Sequence, residues 1–533
     1  MPMFYNYLNQ AKPMKTVLSI LVLFLVTNAS AQVSGYKVKF GEEEKTKKRI
    51  LVEFLGVIDD KLYYFKEKFT FGKGLQPYIL MVNRDDLSIQ KEIEVLDGNA
   101  SISRIAFIND QILVFINDTD RKSGITSYYF QTITKDLEYS KMKVDIASFQ
   151  REKKLFSSSG NFEFIESQDQ EYFAVFYNLP YERNEPEKFA AAIFDKDLKK
   201  INQKDYQLQE TDRDIELLNK HLSDNGDLFL SARQVTERGM LGGAKDFDQL
   251  FFQVMPDGSL IKNKFKLPGK RIVDYTFISN EKNQLICAGL YGDEKGRGVL
   301  GSFYARLDVT TKEWVKESYK PFDSDFITDG WSNREKNKAD RKKDKGKDPI
   351  LEDYEIRNLV TLPDNSSILI AEQFYITTVT YTDQNGNIQT KDIYNYNHVI
   401  VVRVDAKGEI LWNTKVQKEQ ASTNDGGYYS SYAFYPDDDA LYIMFNDNLK
   451  NYTKGNVVGG ETFKTSFTKG KKNVVSIVKI EYLRGDKKKA KLFSGKDIAM
   501  LVVPKAHFAA FDSKELYFYA RSKKKEKIGV VKL

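Results

Sequence analysis

Four carboxylates stand where this chain could do acid–base chemistry. Asp323, Asp325 and Asp329 precede Trp331, and Asp425 precedes Gly426-Gly-Tyr-Tyr429. Acids beside aromatics are what a sugar-cleaving site needs, one as proton donor and one as base or nucleophile. These four are the catalytic candidates of a carbohydrate hydrolase or lyase. Most other acids fall in turns, where Asp bonds the backbone. Asp118-Thr-Asp-Arg-Lys-Ser-Gly124 has the look of a calcium loop, but Arg121 and Lys122 intrude and the closing Glu is absent, so it reads as a turn. No serine sits in a nucleophile-elbow context. Cys287, in Leu285-Ile-Cys-Ala-Gly289, reads as core. Neither a metal nor a cofactor is expected.

The elements that must position these groups are clearest at Val399-Ile-Val-Val-Arg-Val-Asp-Ala-Lys-Gly-Glu-Ile-Leu-Trp412. Two extended runs flank a turn in which Gly408 can take a positive φ and Asp405 can bond the backbone. Weaker copies recur. An apolar strand, polar turn and aromatic-rich strand appear at 54–65, 106–115, 164–176, 222–230, 277–290, 362–370, 434–445 and 508–519. A second hairpin follows each of the first seven, with turns at 83–86, 134–136, 195–197, 256–258, 308–311, 405–408 and 484–486. The eighth unit lacks an outer strand, and Gly35-Tyr-Lys-Val-Lys-Phe40 is available to supply it.

Four-stranded meanders at a period of roughly 50 to 80 residues suit blades better than solenoid coils. The chain resembles the β-propeller superfamily, and the hairpin ending in Trp412 resembles the quinoprotein-type repeat; Trp314 is a partial second case. The resemblance implies an all-β fold: one propeller of four-stranded antiparallel blades over 32–533, with eight blades as the count and seven as the alternative. The N-terminal strand would close the last blade and remove an exposed edge. On such a ring His221 and His507 lie half a turn apart and His398 opens a third strand, so the three share no metal.

Short turns gather on one face of this ring and long loops on the other, where function usually sits. Val379 to Ile393, centred on Asn385-Gly386, is expected to project as a two-stranded ribbon. Aromatics and Arg dominate interface energetics. On that ground Phe71, Tyr181, Arg183, Arg233, Trp331, Tyr428, Tyr429 and His507 are the expected binding residues. The insertion Phe322 to Asp353 is almost free of apolar residues at 334–348 and is expected to be a disordered charged loop over about 332–348.

Composition bounds the rest. With 31 Tyr and 36 Phe the chain can build a β-rich core. Its 81 basic and 75 acidic residues leave a net +6, too small a surplus for a nucleic-acid protein. Met14-Lys15, the apolar run Val17 to Val26 and Ala29-Ser-Ala31 have the form of a secretory signal peptide over 1–31, with Met14 as a possible true start. The apolar run is too short to span a bilayer comfortably, so the mature chain is expected to have no transmembrane segment. One cysteine excludes an intrachain disulfide framework. The expectation is an exported monomer, periplasmic or extracellular. It would bind a protein or glycan of the cell envelope on its long-loop face without catalysis.

Overall fold

Period-2 runs reversed by tight polar turns leave this chain one way to bury its aromatics: sheets stacked face to face. The computed structural model describes residues 31–533 apart from 34, 47–48, 71–73, 96–100, 121, 151–161, 180–183, 239–243, 281, 283, 295–297, 332, 345–348, 453–461 and 468–471. The apolar run of the expected signal peptide lies outside the described residues.

Each repeat forms a four-stranded antiparallel meander. Among the described residues there are eight such sheets rather than seven, two of them extended by extra strands. Blade 1 consists of Arg49–Ile58, Lys61–Thr70, Gly74–Asn83 and Ile89–Glu94. Blades 2 to 5 begin with Ser101–Ile108, Phe162–Glu166, Ile215–Leu222 and Lys270–Ser279. Blade 6 comprises Tyr354–Thr361, Ser367–Thr382, Ile388–Val404 and Ile410–Val416. Blade 7 comprises Ala433–Pro436, Ala440–Asn448, Asn473–Glu481 and Lys487–Ser494. Blade 8 uses Leu501–Ala510, Glu515–Arg521 and Lys525–Lys532, and Tyr36–Phe40 completes it, pairing Lys37 with Lys532 and Phe40 with Gly529.

The core is divided among the gaps between blades. Each of eight apolar clusters draws on two neighbouring sheets, and one joins Leu51 and Tyr64 of blade 1 to Tyr517 and Tyr519 of blade 8. A set of interfaces that returns to its starting sheet is a ring, and the protein is a β-propeller. Between blades 2 and 3, Phe130 meets Phe173 and Phe194 edge-on, while Phe173 and Phe194 stack at 4.9 Å. Trp412 docks blade 6 to blade 7: its Nε1–H donates to the Tyr482 carbonyl at 2.9 Å. Gly485 makes room for that indole, because a Cβ there would sit 2.7 Å from the Trp412 ring. Cys287 is buried between blades 4 and 5, and burial pushes its thiol pKa up. The Asp118 to Gly124 segment holds the expected turn, with the Asp120 carboxylate accepting from Lys122 N and Ser123 N.

One expectation is corrected. Of the segment 332–348, read as disordered, Asn333–Lys343 forms a helix, α2; a shorter helix, α1, Ser324–Thr328, precedes that segment. Lys, Arg, Glu and Ala are good helix formers, and Ala339 is buried, so a short helix holds where low hydrophobicity argued against one. Residues 345–348 of that expectation lie outside the described residues.

Candidate functional site

Glu372 ends the apolar run Ser367-Ile-Leu-Ile-Ala371 on the second strand of blade 6 and has no exposure to solvent. A carboxylate there must be neutralised and hydrogen-bonded to be tolerated. It accepts from Lys418 Nζ at 2.8 Å, Ser431 Oγ at 2.8 Å and Arg357 Nε at 3.3 Å. Lys418, also fully buried, donates further to the Tyr396 carbonyl at 3.0 Å and to Gln420 Oε1 at 3.2 Å. Burial lowers the Lys418 pKa and Glu372 opposes that. Gln420 passes the network to the Asn446 carbonyl of blade 7 at 2.8 Å, and Asn446 Nδ2 donates to the Val502 carbonyl of blade 8 at 2.7 Å and the Tyr429 carbonyl at 2.9 Å. Blades 6, 7 and 8 and the loop holding Tyr428 and Tyr429 are thereby locked together on the long-loop face.

Two features stand on this base. The first is the ribbon, in which Thr382 pairs with Ile388 across a turn where the Asp383 carboxylate accepts from Asn385 N and Asn387 N. It forms where expected and begins earlier, at Phe374. Gln420–Thr423 pairs with its foot at Ile393 to Tyr396, and Thr465–Ser466 adds in parallel. Ile376, Val379, Tyr381 and Ile388 are exposed on it, Ile388 by 76%. Alternation puts Ile376 and Ile388 on one face, Val379 and Tyr381 on the other.

The second feature is Lys505, exposed on a bulge of the inner strand of blade 8 where Val503 pairs with Tyr519 and His507 with Phe518. Bulges re-aim side chains. Lys505 Nζ donates to Tyr396 Oη at 2.9 Å and lies 4.3 Å from that ring's centroid. Gly427, at φ +69°, lets the 424–432 loop lie against the same ring, where a Cβ would come within 2.2 Å of Tyr396. Protein atoms crowding the ammonium lower the Lys505 pKa to about 8; Arg357 and Lys418 act in the same sense, Glu372 and Asp425 against it. At pH 7.5 about a quarter of such amines are neutral, against about 0.1% for an ordinary lysine. In acylation followed by peptide mass spectrometry, Lys505 is therefore expected to react among the fastest lysines, with a midpoint near pH 8. A midpoint above about 10 would contradict that lowered pKa.

The sequence-derived residues do not gather at one place. Phe71, Tyr181 and Arg183 lie outside the described residues. Arg233 is on blade 4, paired with Glu216 at 2.8 Å and lying over Phe247. Trp331 is half-buried against the core of blades 5 and 6. Tyr428 and Tyr429 are half-buried against the core of blades 8 and 1, their rings 4.9 Å apart. His507 has both ring nitrogens engaged, Nδ1 with the Pro504 carbonyl at 2.9 Å and Nε2 as acceptor from Phe434 N at 3.4 Å. Burial lowers its pKa to about 4. His221 and His398 are held low by burial too, at about 4 and about 3. Among the described residues no group of three or more His, Cys, Asp or Glu could hold a metal ion.

The four acids also separate. Asp323 caps α1 by accepting from Phe326 N at 2.7 Å. Asp329 accepts from Gln417 Nε2 at 2.6 Å and lies 3.7 Å from Lys487, beside the outer strands of blades 6 and 7. Asp325 is in the first turn of α1. Asp425 stands apart, in the Lys505 group, where it accepts from Gly427 N at 2.9 Å. These four candidate acids therefore do not converge in one cleft. Glu372 and Lys418 escaped the sequence reading, although a Glu closing a run of apolar strand residues is a visible signal.

No protein-family model matches the chain, and none of the curated proteins does. Among solved structures, the β-propeller domain of the trilobed protease from Pyrococcus furiosus is similar at 11% identity over 71% of this chain and 96% of that one, with a TM-score of 0.32. The acylaminoacyl peptidase of Pyrococcus horikoshii is similar at 12% identity over 90% of this chain and 58% of the peptidase, with a TM-score of 0.35. Polysaccharide lyase Uly1 is similar at 11% identity over 90% of this chain and 89% of the lyase, with a TM-score of 0.32. Similarities of this size say nothing of chemistry.

Proposed function

We propose that this propeller is an exported, non-catalytic binding protein that receives a protein partner of the cell envelope on the long-loop face of blades 6 to 8. The observation that supports this reading is the blade 6 ribbon. A two-stranded hairpin is marginal by itself in water. This one is braced at its foot by two further strands and offers Ile376, Val379, Tyr381 and Ile388 to solvent. Rigid, exposed apolar groups on a polar rim are the usual anchors of an interface. Export rests on the 1–31 sequence pattern; among the described residues no helix is long and apolar enough to cross a membrane.

The test is a chain in which residues 376–390 are replaced by a short polar hairpin. Its melting temperature is expected to stay within a few degrees of the parent, because the removed residues belong to none of the core clusters. Co-purification of envelope partners is expected to fall at least tenfold, and Ile388→Asp alone should lower affinity by a similar factor. Undiminished capture by both variants would sink the proposal.

A further inference from the structure

The outer wall of blades 6 and 7 carries a surplus of positive charge. On α2, Lys336, Lys338, Arg341 and Lys343 are exposed, and none is in an ion pair among the described residues. Among the described side chains of α2 and its C-terminal turn, the acids are Asp340 and Asp344. The outer strand of blade 7 opens with Lys487 and Lys488, both exposed. These two sets adjoin. Lys336 and Lys487 both lie close enough to Lys415 to depress its pKa, and Lys487 Nζ donates to the Lys415 carbonyl at 2.6 Å. Asp329 is the carboxylate that faces this group. Two cations of the neighbouring strands are matched, Lys316 with Glu409 and Lys479 with Asp439. Crowded like charges without counter-charges destabilise a fold unless something anionic meets them.

We infer that this wall is a docking surface for an anionic lipid bilayer. The choice of a bilayer over a soluble polyanion rests on the aliphatic side chains that share the outer strands. Val315 on blade 5 and Leu411 on blade 6 are each 47% exposed, and Leu483, in the turn before the outer strand of blade 7, is 83% exposed. The strands that carry the first two are tied, Lys320 Nζ donating to the Leu411 carbonyl at 3.0 Å. A lipid interface accepts basic groups at its headgroups and aliphatic ones just beneath.

The experiment is co-sedimentation of the full chain with phosphatidylcholine vesicles, with and without phosphatidylglycerol, at rising salt. Binding is expected only with phosphatidylglycerol and should weaken as salt rises. Lys336→Glu/Lys338→Glu/Arg341→Glu is expected to lower partitioning on the order of a hundredfold. A control with the same charge change on exposed lysines elsewhere, Lys122→Glu/Lys282→Glu/Lys496→Glu, should stay within about twofold. Melting curves confirm that both variants fold. Equal losses in the two variants, binding to neutral vesicles, or binding to dextran sulfate with none to vesicles would each overturn the inference.

Discussion

Glu372→Ala is expected to lower unfolding free energy by about 3–5 kcal/mol, the range for breaking a buried ion pair by removing one partner. The cost comes from what remains. Lys418 would keep the Tyr396 carbonyl and Gln420 Oε1 but lose its anion while fully buried, and Ser431 and Arg357 would lose an acceptor. Denaturant melts measure the loss. Glu372→Leu/Lys418→Met separates charge from shape: with both ions gone, most of the stability should return, because a buried pair contributes little over an apolar one of similar volume. A loss under about 1 kcal/mol in the single variant, or a double variant less stable than the single one, would show that the network is not what holds blades 6 to 8 together.

The contrast between what sequence pattern disclosed and what it hid follows from range. Blade hairpins are local: Asp405 and Gly408 shape their own turn, and alternation places Ile400 and Val402 between blades 5 and 6. Closure is long-range, yet legible, because an unpaired last strand needs a partner and Tyr36–Phe40 is a strand without a blade. The braces of the ribbon were hidden, since Gln420–Thr423 and Thr465–Ser466 pair across segments whose spacing carries no period. The separation of Asp425 from the other three candidate acids has a related reason. Asp329 and Asp425 border successive loops, but Lys415 Nζ, bonded to the Ile327 and Asp329 carbonyls, draws the first loop onto the outer strand of blade 6. The second loop leans inward over Tyr396. Which way a loop leans depends on buried groups distant in sequence.

Removing residues up to Gly41 should have a still larger effect, because it opens the ring. Val38 is 2% exposed in the cluster between blades 7 and 8, and Phe40 packs edge-on against Phe493 at 5.2 Å and Phe518 at 5.9 Å. Losing the burial of a valine and a phenylalanine costs about 3–6 kcal/mol before any hydrogen bond is counted. The antiparallel ladder from Lys37 with Lys532 to Phe40 with Gly529 goes too, leaving the Gly529–Lys532 end of the last strand as a bare edge able to pair with another chain, while Glu44–Lys45 still pairs with Glu526 and Lys525. The truncated protein is therefore expected to melt well below the parent and to self-associate on standing, by calorimetry and light scattering. Phe40→Ala should show a smaller loss without the association, since its edge remains covered. A peptide of residues 32–41 added in trans should restore part of the stability, with a melting temperature that rises with peptide concentration. If the truncated chain stayed monomeric and melted within a few degrees of the parent, the seven intact blades and their shared clusters would be enough to hold the ring, and the closing strand would serve only to cap an edge.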